Sequence, residues 1–217
     1  MRFTSHRDFS RAFERAVFRA RVPMAYSSGF NPHPRISYAG AAPTGSASEA
    51  EYLEIALAEK VDPAALRASL AEAMPDGLEL VEVVESSGGA LADLLQASRW
   101  EIDLPHPVTV VEPAVEAFLA AGEVKVERMT KKGLREFDAR AAVYALAATS
   151  HGAGTRIDLV LRHVEPAVRP DDVVSALQVV GGLQIGPEHG GLPLLTRLAQ
   201  GTFDDATGAI GDPLSAA

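Results

Sequence analysis

The hydrophobic period of this chain switches between one face of a helix and strict alternation, and it does so in nearly the same order twice. That order limits the fold more than any single motif, because a period near 3.6 buries a helix face and a period of two buries a strand face. Over residues 6–21, Phe9, Ala12, Phe13, Ala16, Val17 and Ala20 recur at three and four residues. Ser5 and Asp8 stand as a capping pair before them and Pro23 stands beyond the end. Residues 35–42 alternate weakly, Pro43-Thr44-Gly45 makes a turn, and 51–59 alternates with Leu53, Ile55 and Leu57 on one side. These two stretches are expected to pair antiparallel. Asp62-Pro63 opens a second helix with Leu66, Leu70 and Met74 inward, Pro75-Asp76-Gly77 ends it, and 78–84 alternates again. One strand ahead of the first helix would complete βαββαβ, the ferredoxin-like split unit.

Ser86-Ser87-Gly88-Gly89 is the best boundary in the chain. A short helix runs to Gln96, and a second pass follows: strand 99–104, helix 114–121, strand 123–129, a turn at Lys131-Lys132-Gly133, strands 138–149 and 156–164, helix 170–180 and strand 192–198. Apart from the extra hairpin arm, this is βαββαβ again. The expected fold is therefore α+β, with two ferredoxin-like units at 1–87 and 98–200, antiparallel sheets carrying helices on one face, the first strand of the first unit short or missing, and a flexible Gly-, Ala- and Asp-rich tail at 201–217.

The chain has no cysteine, which excludes disulfides, cysteine-ligated zinc, iron–sulfur clusters and thiol nucleophiles together. No apolar run is long enough to span a bilayer and the start has no apolar signal region, so the expected location is the cytoplasm. The net charge of −9 argues against a generally basic coat, but the charge is unevenly spread. The first forty residues hold seven arginines against Asp8 and Glu14, while 49–85 is strongly acidic with only Lys60 and Arg67 as bases. Arg7, Arg11, Arg15 and Arg19 recur every four residues, a slanting stripe on the outer face of the first helix. A charge run is commonly a solvated face; here the scarcity of acids favours polyanion binding equally. A second basic group, with Arg128, Lys131, Lys132 and Arg135, falls on the hairpin. Such a tip suits phosphate contact, and it also suits protection of an edge strand.

Catalytic signatures are absent: no phosphate-binding Gly loop, no Gly-x-Ser-x-Gly, and no two histidines at local metal-ligand spacing. Gly186-Pro187-Glu188-His189-Gly190-Gly191 is a late Gly-rich loop that serves as a close backbone approach or a plain turn. The stretch 27–35, Ser-Ser-Gly-Phe-Asn-Pro-His-Pro-Arg, is the most unusual. Pro32 and Pro34 fix the backbone and extend the residues before them, so Phe30, Asn31, His33 and Arg35 are presented in a set order. As a corner it would bury Phe30. As a site it would gather with Ser5, His6, Asp8, Glu49 and Glu51, where His6 and His33 offer acid–base or metal chemistry.

Thr4-Ser5-His6-Arg7-Asp8-Phe9, Arg15-Ala16, the run from Pro23 through Ser37, Gly45 and Ser48-Glu49-Ala50-Glu51-Tyr52 resemble the radical-SAM-linked family of bacterial proteins of unknown function. The match is dense over residues 3–55; beyond Ser86 it rests on Lys132-Gly133, Phe137-Asp138-Ala139-Arg140 and element order. The resemblance implies a partner, a radical-SAM enzyme encoded beside or fused to such a chain, and a first strand that Arg2-Phe3 only finishes. It implies no activity and no cofactor on this chain. The expected role is a non-catalytic accessory module that binds a structured RNA or other polyanion. An RNA-processing or RNA-modifying enzyme on a tandem ferredoxin-like scaffold, and a pure protein-interaction scaffold, are the alternatives.

Overall fold

A computed structural model describes residues 6–86, 88–131 and 133–215. In chain order the elements are α1 (His6–Arg19), β1 (Ile36–Ala39), β2 (Ala47–Ser48), β3 (Tyr52–Ile55), α2 (Pro63–Ala73), α3 (Leu91–Leu94), β4 (Ala97–Leu104), α4 (Val108–Ala120), β5 (Lys125–Thr130), β6 (Gly133–Asp138), α5 (Ala139–Ala142), β7 (Val143–His151), β8 (Gly154–Arg162), α6 (Pro170–Gly181), a 3-10 turn at Pro187–His189, and β9 (Leu194–Gly201). The chain is α+β and divides into two compact units. The first is drawn from Met1–Ser46, Glu51–Leu94 and Pro213–Ala217, the second from Ala47–Ala50 and Leu95–Asp212.

In the first unit the apolar face of α1 lays Phe13 and Val17 against Leu66 and Leu70 of α2, with Met24 between them and Ile36, Leu53, Ile55 and Leu57 alongside. β1 and β3 pair antiparallel, with Tyr38 opposite Leu53, as their alternation requires. Asp62 caps α2 by accepting from the Ala65 N–H at 3.1 Å, and Pro63 occupies the first turn, where its missing N–H costs nothing. The run 78–84 is not a strand among the described residues. Leu80 and Val83, three residues apart, pack on the core while Val81 is exposed, so the strict alternation of a strand is not kept. The partner of such a fourth strand is the first strand of the unit, and that position lies ahead of α1, outside the described residues.

The second unit shows the full arrangement. Its five-stranded sheet runs β2-β9-β4-β8-β7, so the last strand bonds to the first and the third separates the first from the second, the order of a ferredoxin-like βαββαβ unit. α4 and α6 are neighbours in this unit, and they pass so closely that a Cβ at Gly181 would stand 2.1 Å from the Ala114 Cβ. α4 begins before Pro113 rather than after it, because Val111, Ala114, Val115 and Phe118 all face the core. β5 and β6 form the extra hairpin arm, with Met129 opposite Leu134.

Two features depart from expectation. Ala47–Ser48 leaves the first unit's run of residues and adds a short parallel edge strand to β9 of the second. Residues 202–212, expected as a flexible tail, are folded onto the second unit. The Phe203 N–H donates to the Gln96 side chain at 2.9 Å, its ring meets Tyr144 edge-on at 5.0 Å, and Asp205 pairs with Arg162.

Candidate functional site

The outer face of α1 is set by its inner one. Because Phe13, Ala16 and Val17 are buried, the helix cannot rotate, and Arg7, Arg11, Arg15 and Arg19 are all exposed. At 3.6 residues per turn, Phe18, Arg11, Arg15 and Arg19 stand about 20°, 40°, 80° and 120° round the helix from Arg7. None of the four arginines is in an ion pair among the described residues, and no carboxylate of the acidic stretch 49–85 reaches them there. Arg19 donates a hydrogen bond from Nη1 to the Ala73 carbonyl at 3.2 Å. Phe18, at 81 % exposure, lies at the C-terminal end of this stripe, next to Arg19 and one turn past Arg15, and outside the Phe9–Phe13–Tyr38 aromatic group.

The helix ends through Arg21, the one described non-glycine residue with positive φ, at 53°. Val22 donates to the Val17 carbonyl at 3.1 Å and Arg21 to the Phe18 carbonyl at 3.1 Å, the double closure of a helix whose last residue turns left-handed. Glycine is the usual occupant there, since a side chain costs about 1–2 kcal/mol in that conformation. A further arginine is thus kept beside the stripe at a backbone penalty.

The proline-rich stretch is a hairpin. Ser27 donates to the His33 carbonyl at 2.9 Å, the His33 N–H returns to Ser27 Oγ at 3.1 Å, and Arg35 donates to the Ala25 carbonyl at 2.9 Å. The base is anchored where Ala25 donates to the Ala56 carbonyl at 2.8 Å. Phe30 at the tip is 105 % exposed and Tyr26 is 56 % exposed; Asn31, His33 and Arg35 also face solvent. The buried-corner reading of Phe30 is therefore wrong: Pro32 and Pro34 stiffen the loop, and no described residue covers its tip.

The sequence model of a bacterial family, described as "Uncharacterized protein conserved in bacteria (DUF2344)", matches residues 1–170. The chain belongs to that family. No curated protein matches it. The family match takes in both the α1 stripe and the hairpin loop, and it runs through the second unit to Pro170, the first residue of α6.

Other expected site residues are differently placed. The His6 ring packs edge-on against Tyr38 at 5.0 Å, and burial raises the Tyr38 phenol pKa, with the Ser10 hydroxyl opposing and Glu14 assisting. Glu51 accepts from the Ala42 N–H at 3.4 Å in the first unit, whereas Glu49 belongs to the second, where its N–H donates to the Arg197 carbonyl at 2.9 Å. Asp8 lies in the first turn of α1. Ser5 and Lys132 lie outside the described residues. No group of three or more His, Asp or Glu side chains able to hold a metal occurs among the described residues.

On the hairpin arm, Lys131 and Arg135 are exposed, but Arg128 is not a free cation. It pairs with Asp172, which is 4 % exposed at the start of α6, donates to the Ala167 carbonyl at 3.0 Å, and lies 4.2 Å over the Phe137 ring. Its role is to tie the arm to α6. Sequence reasoning missed Phe18, Arg21 and Tyr26. Phe18 was accessible to it, since eleven residues past Arg7 returns almost to the same side of a helix.

Proposed function

We propose that this protein is a non-catalytic accessory module that binds a structured RNA or other polyanion through the α1 face and works beside a radical-SAM enzyme. The observation that carries the first part is the exposed arginine stripe, with no ion pair among the described residues, in a chain of net charge −9. Exposed arginines on a rigid helix hold fixed spacing, and phosphate contacts gain from counterion release. Lys131 and Arg135 on the second unit's arm are exposed cations of that unit. The partner rests on the motif resemblance over 3–55 and on the chain having no cysteine to hold a cluster itself. The exposed Phe30 tip supports a docking role in the same loop, since a rigid aromatic on a preformed hairpin anchors an interface at low entropic cost.

Affinity purification from cells after crosslinking tests this, with bound RNA sequenced and bound proteins identified. The wild-type chain is expected to enrich RNA and an iron–sulfur enzyme; Arg11→Glu/Arg15→Glu loses the RNA, and Phe30→Ala loses the enzyme. Equal RNA recovery by the wild type and the charge-reversed variant would remove the polyanion reading.

A further inference from the structure

The arginine stripe alone does not say what form of nucleic acid it meets. Phe18 does. It stands between Arg7 and Arg11 in angle, 81 % exposed, on a helix whose opposite side is locked into the core by Phe13 and Val17. A phenyl ring gains nothing from a phosphate and less from a ribose edge than from a base, and it stacks on the face of any base that is not already stacked. In a duplex those faces are occupied by neighbouring base pairs. An aromatic at the end of a row of phosphate-binding cations therefore matches a strand whose bases are splayed, as single-stranded RNA segments are.

The acids on this face are few and placed to one side or the other. Glu14 is the one acid beside the ring, one turn before Phe18 and about 40° round the helix from it, and Asp8 lies beyond Arg15 at about 100°. Between them the cations lie on the same side as the ring. The α1 face is also a poor membrane anchor, because its apolar residues other than Phe18 point into the protein.

Resting on the polyanion reading above, we infer that α1 binds unpaired RNA, with Phe18 as the platform for one base and Arg15, Arg11 and Arg7 on successive phosphates leading away from it toward the start of the helix. The probes are a fluorescent 12-nucleotide oligouridine, a duplex RNA of equal length, and vesicles with anionic lipid, each titrated with the full chain. Phe18→Ala is expected to weaken oligouridine binding about 10-fold, since one stacked base contributes on that scale, while the salt slope and duplex affinity stay unchanged. Phe18→Trp should bind as well as the wild type or better. If Arg11→Ala/Arg15→Ala loses oligouridine binding but Phe18→Ala does not, the stacking inference falls and the polyanion reading stands. If Phe18→Ala weakens duplex and single strand equally, the ring acts as a wedge or packing group and the inference is wrong. Failure of wild type to bind either RNA removes both. Vesicle binding lost on Phe18→Ala, with no RNA effect, replaces it with a lipid surface.

Discussion

Removing Arg11 and Arg15 together gives the sharpest quantitative test of the stripe. On a single strand, each phosphate neutralised contributes about 0.7 to the slope of log affinity against log salt. With Arg7, Arg11 and Arg15 engaged, the wild-type slope is about −2.1, so affinity falls about 18-fold between 50 and 200 mM salt. Arg11→Ala/Arg15→Ala leaves one contact and a slope of about −0.7, a fall of about 2.6-fold over the same range. The deficit of the variant should therefore shrink about sevenfold from low to high salt. Because both side chains are exposed and without ion pairs among the described residues, stability should shift by no more than about 0.5 kcal/mol. The assay is fluorescence anisotropy of labelled oligouridine at several salt concentrations, with thermal unfolding as the control. A variant slope equal to that of the wild type would mean that these arginines touch no phosphate. In that case the stripe only solubilises the helix, and the exposed Phe30 hairpin becomes the better guide to function.

Three further outcomes follow from particular contacts. Arg128→Ala leaves Asp172 buried without its cation and should destabilise the second unit by about 3 kcal/mol; adding Asp172→Asn should recover part of that loss. Urea unfolding followed by Trp100 fluorescence reads this directly, because Trp100 is the only tryptophan and is buried in β4. Burial pushes the His163 imidazole below its ordinary value of 6.5, against the Leu95 carbonyl that opposes the shift and with Arg197 adding to it, so the unfolded chain takes up the proton first. Stability from this group is full above about pH 6.5 and declines as pH falls below it, and His163→Gln should flatten that limb of the pH–stability curve. Arg21→Gly removes the side-chain penalty at φ 53° and should protect the amides of α1 by up to about 1 kcal/mol in hydrogen exchange, while lowering RNA affinity at low salt.

What local sequence determined is what local physics controls. The apolar spacing of Phe13, Ala16 and Val17 placed α1 and, with it, the outward arginines; Asp62-Pro63 placed the start of α2; the alternation through Leu53 and Ile55 placed β3. The repeated order of periods was enough for the ferredoxin-like arrangement of the second unit, since few topologies connect that order without crossing. Tertiary structure decided what depends on a partner distant in sequence. Residues 78–84 alternate like a strand, yet a ladder needs a second edge, and alternation cannot supply one. Arg128 reads as one more base on a basic arm until Asp172, forty-four residues on, is found beneath it. Phe30 reads in sequence either as a buried corner or as a presented site residue, and its exposure is decided only where Ser27 and His33 close the hairpin that carries the ring at its tip. Glu49 and Glu51 are two residues apart in sequence and belong to different units, because Ala47 and Ser48 complete a sheet edge on β9. Side-chain chemistry was legible throughout; which groups remain free to use it was settled by long-range packing.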